Sequence, residues 1–205
     1  ADDADIVLST ATNAITGEVS FTTNTLDAAA AGTSDVTFDN VVFDIGFASS
    51  MIDCNLVASS GHSSATTVNG KVTVDADVTL TTDANSGVIN MNQLAQTSNS
   101  TNFLTLNTNG TGTATIVNAT AVNLAAGTVG GATSITATLG NIIDAGTFTV
   151  SAGGATFVTG ADAASINLGT LAVTGGITLT TNDSSGADSD ATIVNATAFA
   201  FGAST

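Results

Sequence analysis

The chain has 205 residues and a formal net charge of −16, because one Lys or Arg stands against 17 Asp and Glu. Nucleic acids and anionic membrane surfaces are recognised through Lys and Arg, so both classes of partner are disfavoured. Pro, Trp and Tyr are absent and nine Phe are the only aromatic residues, which predicts one domain with a thin core of Val, Ile, Leu, Ala and Phe. No apolar stretch is long enough for a membrane-spanning helix, so we expect no membrane insertion.

Short triplets of the form apolar-x-apolar recur in chain order along nearly the whole sequence. A spacing of two puts both apolar side chains on one face of an extended strand. Each triplet therefore predicts a short β-strand that presents one narrow apolar ridge to a core. The triplets are Val19/Phe21, Val36/Phe38, Phe43/Ile45, Val72/Val74, Val78/Leu80, Ile89/Met91, Leu104/Leu106, Val122/Leu124, Ile135/Ala137, Phe148/Val150, Ile166/Leu168, Leu171/Val173, Ile177/Leu179 and Phe199/Phe201.

The pattern divides the single predicted domain, residues 1–205, into two parts. Residues 1–60 are less repetitive, with a strand region around 18–25, a loop or short helical turn at 28–34 and a Phe-rich segment at 36–57. Residues 61–205 are degenerate β-strand repeats. The first part is the predicted assembly region, and its candidates for contact between subunits are Val19, Phe21, Phe38, Phe43 and Phe47.

One octapeptide repeats without change: ATIVNATA at 114–121 recurs at 191–198, and each copy runs into an apolar triplet. Short strands with tight polar turns, in repeats of roughly 20–30 residues, are typical of a β-solenoid in which each coil stacks on the last. The alternative is an antiparallel β-sandwich, which the strictly alternating segment KVTVDADVTLT at 71–81 would suit. We expect an all-β fold and favour the solenoid, a parallel β-helix.

Several phrases resemble the β-strand-repeat regions of large bacterial surface proteins: LTLNTNGTGTATIVNATAVNLAAGTVGG, GTFTVSAGGATFVTG and LGTLAVTGGITLTTND. The resemblance is to filamentous-haemagglutinin-like adhesins and autotransporter passengers, and its compositional motifs cover about residues 71–205. It implies a secreted, right-handed parallel β-helix that acts as a stalk, filament or adhesin. The chain departs from that class in its small size and in lacking a recognisable secretion domain, which suits either a fragment or a subunit that polymerises.

Side chains suited to catalysis are scarce. The sequence has one His, His62 in the polar segment SSGHSS, and one Lys, Lys71, without any Arg or Tyr. General acid–base and nucleophilic chemistry lack their usual partners, so we expect that the protein is not an enzyme and requires no cofactor. The lone Cys54 excludes an intramolecular disulfide. We expect it to be a small buried residue in a strand, with intermolecular pairing as the alternative.

Calcium is the metal that the acidic composition favours, because hard cations take carboxylate, amide and carbonyl oxygens. The segment NDSSGADSD at 182–190 places oxygen-bearing side chains around a Gly, and its candidate ligands are Asn182, Ser184, Asp188 and Asp190. An acidic turn without metal is the alternative. Weaker candidates are Asp75, Asp77 and Asp83, and also Asp2, Asp3 and Asp5.

Asn-x-Ser/Thr sequences are candidate glycosylation sites in a secreted protein, and the Asn residues are Asn99, Asn109, Asn118, Asn182 and Asn195. For Asn118 and Asn195, inside the repeated octapeptide, stacking of Asn side chains is the better interpretation. Thr-x-Thr pairs such as Thr178/Thr180 would form a hydroxyl array on a flat solenoid face, suited to ice, although Thr also occupies strands by propensity alone.

These features predict a secreted structural protein at the cell surface or outside the cell. It would be a subunit of a filament, sheath or adhesive layer that assembles with itself through sheet edges or coil ends. The start ADDAD would suit the mature end left when a leader is cleaved after a small residue. The alternative is a monomeric module that binds cell-surface glycans or ice.

Overall fold

The structure is a computed structural model that describes residues 4–9, 12–23, 34–40, 45–52, 54–60, 66–68, 70–97, 101–182, 184 and 189–205. Every helix or strand element in these ranges is a β-strand. The strands are β1 (Ile6–Leu8), β2 (Glu18–Val19), β3 (Val36–Asn40), β4 (Gly46–Phe47), β5 (Ser50–Ile52), β6 (Leu56–Ser60), β7 (Thr66–Val68), β8 (Val72–Val74), β9 (Val78–Asn85), β10 (Ile89–Gln96), β11 (Leu104–Asn109), β12 (Ala114–Asn118), β13 (Val122–Leu124), β14 (Gly127–Val129), β15 (Thr133–Ala137), β16 (Ile142–Asp144), β17 (Phe148–Val150), β18 (Ala155–Asp162), β19 (Ile166–Val173), β20 (Gly175–Asn182), β21 (Ala191–Asn195) and β22 (Phe199–Phe201).

The strands form two sheets of 11 strands each, and every strand pair in the described ranges is parallel. One sheet runs β1-β3-β6-β9-β11-β13-β16-β19-β17-β14, with β21 on β19. The other runs β2-β4-β7-β10-β12-β15-β18-β20-β22, with β8 on β10 and β5 on β8. Neighbouring parallel strands need a crossover connection, and in this chain the connection passes through the opposite sheet. The predicted all-β solenoid is confirmed, and the antiparallel sandwich is wrong.

Successive coils differ in length. At the aligned starts of four stacked strands, Val36 pairs with Leu56, Leu56 with Val78, and Val78 with Leu104. Hydrogen bonds at the adjoining corner join positions that are 20, 22 and 26 residues apart in the same three coils. The coils are unequal because the turns between strands differ in length, which explains why the sequence repeats are degenerate.

Columns of inward-facing side chains fill the interior from coil to coil. In one column, Met91, Ile116, Ile135, Phe157 and Leu179 pair each with the next and are at most 6% exposed. Buried and half-buried residues alternate along β15, because successive side chains of a strand point to opposite faces. Each buried side chain of this size stabilises the fold by about 1.5–3 kcal/mol. The apolar triplets are thus the core positions of the strands.

Glycine pairs let the coils approach closely at the corner where β15, β18 and β20 begin. These pairs lie at 130–131, 153–154 and 175–176. Gly154 has φ +79°, and a Cβ there would lie 2.3 Å from the carbonyl oxygen of Gly176. A Cβ on Gly130 would lie 2.0 Å from the carbonyl oxygen of Gly110. Only glycine fits such contacts, so the coils carry no side chain at these two positions.

Candidate assembly interface

One corner of the solenoid carries a ladder of side-chain oxygens that join successive coils. The Oδ1 atom of Asp5 accepts a hydrogen bond from the Asp35 N–H at 3.0 Å, and Oδ1 of Asp35 accepts one from the Asn55 N–H at 3.0 Å. Oδ1 of Asn55 then accepts from the Asp77 N–H at 3.0 Å, and Oδ1 of Asp77 from the Phe103 N–H at 2.7 Å. At a corner the backbone N–H lacks a strand partner, and these oxygens supply one.

A second run of the same kind ends in the last coil. Oδ1 of Asn141 accepts a hydrogen bond from the Ser165 N–H at 2.8 Å, and Oγ of Ser165 accepts one from the Asp190 N–H at 3.4 Å. Asp190 is exposed. The first run therefore starts at Asp5 in the first coil, and the second ends at Asp190 in the last.

The repeated octapeptide forms a second type of corner bond. In its first copy, Oδ1 of Asn118 accepts from the Gln96 N–H at 3.0 Å. Nδ2 of Asn118 donates to the Ala121 carbonyl at 2.9 Å and to Oγ1 of Thr120 at 3.2 Å. Thr120 Oγ1 in turn donates to the carbonyl of Gln96. The Asn and Thr side chains thus hold both backbone groups of one residue in the preceding coil.

The second copy of the octapeptide repeats this arrangement. Oδ1 of Asn195 accepts from the Val173 N–H at 2.7 Å, and Thr197 Oγ1 donates to the Val173 carbonyl. Nδ2 of Asn195 also donates to the Val173 carbonyl, at 3.0 Å. The difference is burial: Asn118 is 0% exposed, whereas Asn195 is partly exposed. The same sequence therefore makes the same bond in a covered coil and in an open one.

The last coil ends in exposed apolar side chains that continue the core. Phe201 pairs with Ile177, which is 0% exposed, yet Phe201 itself is 62% exposed and Phe199 is 37% exposed. The two Phe rings meet edge to face with centroids 5.1 Å apart. Ile193 on β21 is only partly buried against the core. Within the described residues, β22 pairs with β20 alone and β21 with β19 alone.

The first coil has a matching open end. Leu8 pairs with Phe38, which is 1% exposed, while Leu8 is 39% exposed. Ile6 and Val19 pack partly buried against the core. In the described part of the chain, β1 pairs only with β3 and β2 only with β4. Among the described residues, each end of the stack thus presents core side chains and a strand edge without a further strand.

Three of the predicted contact residues between subunits lie in the core of the described structure. Phe21, Phe38 and Phe47 are at most 5% exposed. The ring of Phe21 lies edge to face with those of Phe38 and Phe47, at centroid distances of 5.5 and 6.2 Å. These rings offer no surface to a partner. Of the other two candidates, Val19 lies in the first coil and Phe43 lies outside the described residues.

The candidate calcium ligands are not brought together as a metal site in the described residues. Asn182 Nδ2 donates to the Gly160 carbonyl at 2.7 Å, Ser184 and Asp190 are exposed, and Asp188 lies outside the described ranges. No group of three or more His, Cys, Asp or Glu that could hold a metal occurs in the ranges described. Calcium binding stays a prediction.

The weaker acidic candidates serve in bonds between coils where the structure describes them. Oδ1 of Asp75 accepts from Thr97 Oγ1 at 2.8 Å, and Asp5 and Asp77 belong to the corner ladder. Asp2, Asp3 and the side chain of Asp83 lie outside the description, as does His62. Cys54 is half-buried in a bend between β5 and β6, so its predicted place within a strand is wrong.

The candidate glycosylation sites differ in access. Asn118 is fully buried and Asn195 uses its Nδ2 in the corner bond, so neither amide is open to a glycan in the folded chain. Asn182 also donates through Nδ2. Asn109, at the end of β11, is exposed, and Asn99 lies outside the described residues.

A column of hydroxyl side chains marks one outer face. Thr115, Ser134, Thr156 and Thr178 pair in register on β12, β15, β18 and β20. They border a cleft of about 480 Å³ whose wall includes the side-chain-free Gly153–154 corner. The residues that line this cleft are all Thr, Ser, Ala or Gly. It can therefore donate and accept neutral hydrogen bonds, and it holds no group suited to acid–base chemistry.

Protein-family models, curated protein sequences and solved structures give no significant match to this chain. In the part of the chain that the structure describes, no helix is long and apolar enough to cross a membrane. The features that bear on function are the open ends, the corner ladder and the hydroxyl column.

Proposed function

We propose that the chain is a secreted structural protein, a subunit of an extracellular filament, sheath or adhesive surface layer, which acts by self-assembly through its coil ends. The observation that carries this proposal is Phe201, a residue of an inward-facing column that is 62% exposed at an unpaired strand edge. The sequence resemblance to β-strand-repeat surface proteins supports the extracellular setting. In this proposal the protein is not an enzyme.

Two physical terms favour association of the ends. An unpaired strand edge is a template for backbone hydrogen bonds with another chain. Complete burial of a Phe side chain contributes roughly 1.5–3 kcal/mol, and both Phe199 and Phe201 are available. The chain also lacks Pro and has a single Lys, two residues with which proteins commonly block exposed sheet edges.

Charge opposes this association until it is screened. Each subunit carries a formal charge of −16, and repulsion between like-charged subunits weakens as the Debye length falls to about 8 Å at physiological ionic strength. Assembly should therefore increase with salt. Calcium would act more strongly than sodium at equal ionic strength if carboxylates of neighbouring subunits share it.

The test is electron microscopy and sedimentation of the purified chain at low salt, at about 0.15 M salt, and with added calcium. Ordered fibres or sheets that increase with salt support the proposal. A chain that stays monomeric in all three conditions contradicts it. A calcium effect equal to that of sodium at matched ionic strength would remove calcium from the proposal while leaving assembly in place.

A second function is favoured by a separate observation, the in-register column of Thr115, Ser134, Thr156 and Thr178 beside the cleft. Regularly spaced hydroxyls on a rigid parallel sheet would suit a monomeric module that binds neutral glycans or ice. Retention on a glycan column, or arrest of ice growth by a monomeric sample, would support it. Replacement of Thr156 by Lys should then abolish the activity, because a long charged side chain would interrupt the hydroxyl column.

A further inference from the structure

We infer that the partner of the open C-terminal coil is the open N-terminal coil of a second copy, so that copies join head to tail along the solenoid axis. This inference rests on the proposed function and specifies which two ends form the contact between subunits. The C-terminal end comprises β21 and β22 with Ile193, Phe199 and Phe201. The N-terminal end comprises β1 and β2 with Ile6, Leu8 and Val19.

The side chains at the two ends belong to the same kind of inward-facing position. Leu8 is paired with the core residue Phe38, and Phe201 with the core residue Ile177. Both are exposed for the same reason, because a coil covers them on one side only. Stacking of the two ends would cover the exposed side of each, as an interior coil is covered by its neighbours.

The backbone of the two ends is complementary in direction. At the ladder corner each coil donates an N–H to a carbonyl of the next coil, as from Ile6 to Asp35 and from Ile166 to Asp190, both at 2.9 Å. Continued past the last coil, this pattern takes the N–H of Ala191 to a carbonyl in a further coil. Continued before the first coil, it brings an N–H to the carbonyl of Asp5. At this corner the last coil therefore offers the N–H of Ala191, and the first coil offers the carbonyl of Asp5.

The corner ladder runs in the opposite direction, because its N–H groups donate to the preceding coil. Each side-chain oxygen accepts an N–H from the following coil, from Asp5 at the start to Ser165, which accepts from Asp190. The carboxylate of Asp190 is thus placed to accept from the first coil of a second copy. Contact between two identical ends would not continue the parallel strand pairing that joins the described coils. Only the head-to-tail arrangement continues the pattern, and such a heterologous contact produces open filaments.

On one side of the solenoid, the end coils also match interior coils in the length of chain between the two sheets. In the first coil, the interval from Ile6 to Glu18 equals the interval between the equivalent Val78 and Asn90. In the last coil, the interval from Ala191 to Phe201 is shorter by a single position than that from Ile166 to Ile177. On this side, the chain of a first coil can therefore follow that of a last coil nearly as one interior coil follows another.

The test uses one charged substitution at each end. Phe201→Asp should block the C-terminal end, and Leu8→Asp should block the N-terminal end, each raising the protein concentration needed for assembly by at least about tenfold. Matched controls use neighbouring side chains that are comparably exposed but face outward. Val194→Asp, at 59% exposure, and Val7→Asp, at 51%, should assemble like the wild type.

Mixing the two end variants decides the geometry. Phe201→Asp keeps an intact N-terminal end and Leu8→Asp an intact C-terminal end, so their mixture should form heterodimers that stop at two subunits. The same dimers would show that both variants are folded. A mixture that stays monomeric while the wild type forms fibres would overturn the head-to-tail joint and leave self-assembly standing. Equal loss of assembly in the Val194→Asp control would also overturn it. A wild-type protein that never assembles would contradict the proposed function itself.

Discussion

Replacement of Asn118 by Ala tests whether the corner bonds of the repeated octapeptide hold the coils together. Asn118 is fully buried, accepts from the Gln96 N–H and donates to Thr120 and Ala121. Gln96 is itself 3% exposed, so its N–H would be left without a partner and without access to water. Asn195→Ala is the matched control, because it changes the same position of the same octapeptide in the open last coil.

The expected loss follows from the bonds that are removed. One orphaned buried N–H costs roughly 1–3 kcal/mol, and each of the two other lost hydrogen bonds adds roughly 0.5–1.5 kcal/mol. Asn118→Ala should therefore lower the free energy of unfolding by roughly 2–6 kcal/mol. In Asn195→Ala, water can reach the opened corner, so the loss should be about 1 kcal/mol or less.

The assay is urea unfolding at low salt, where assembly is weakest, followed by circular dichroism because the chain has no Trp or Tyr. A shift of the midpoint to lower urea for Asn118→Ala, with little change for Asn195→Ala, is the predicted result. Equal losses in the two variants would refute the reasoning, since burial of the corner would then have no energetic effect.

Three further predictions concern buried hydroxyls, glycine corners and charge. Thr133→Val should raise the melting temperature, because Thr133 Oγ1 is buried without a hydrogen-bond partner among the described residues. Thr159→Val should lower the melting temperature, because Thr159 Oγ1 donates to the Ala164 carbonyl at 3.2 Å. A shift in the same direction for both variants would contradict this reasoning. Gly154→Ala should destabilise by about 1–3 kcal/mol through overlap with the neighbouring coil, while Gly169→Ala, with no atom closer than 3.8 Å to its new Cβ, should change little. Added NaCl should raise the wild-type melting temperature by screening the charge of −16, and a fall would contradict this.

The strands could be predicted from sequence because their requirement is local. A strand with one face in the core must place apolar residues at alternate positions. Pairs such as Val78/Leu80 and Ile135/Ala137 meet this requirement, and they can be recognised without knowing which strands lie beside them. The solenoid follows from many such strands with short turns. Which strands pair could not be predicted, because coil lengths that vary from 20 to 30 residues leave no fixed period.

The assembly surface could not be predicted in the same way. An exposed Phe and a core Phe have the same sequence pattern, as Phe201 and Phe38 illustrate, and only the presence of a covering coil separates them. Sequence reasoning therefore places Phe21, Phe38 and Phe47 at a contact between subunits, although these three side chains are buried in the core. The glycine pairs carry a signal that the apolar pattern does not contain: their recurrence at 130–131, 153–154 and 175–176 marks one stacked corner.

The corner ladder also depends on contacts between coils. The sequence shows plentiful Asp and Asn, and their chemistry suits either calcium or backbone N–H groups. The structure shows the second use for Asp35, Asn55 and Asp77, each of which accepts an N–H from the following coil. The spacing between these three residues is uneven, and only the register of the strands defines it.

The most direct test of head-to-tail stacking is a high-resolution electron-microscopy reconstruction of the assembled protein. The strand spacing of about 4.8 Å should continue without a break from β21 and β22 of one subunit to β1 and β2 of the next, with Phe201 covered at the joint. Subunits packed side by side, with Phe201 still facing solvent at every coil end, would contradict it.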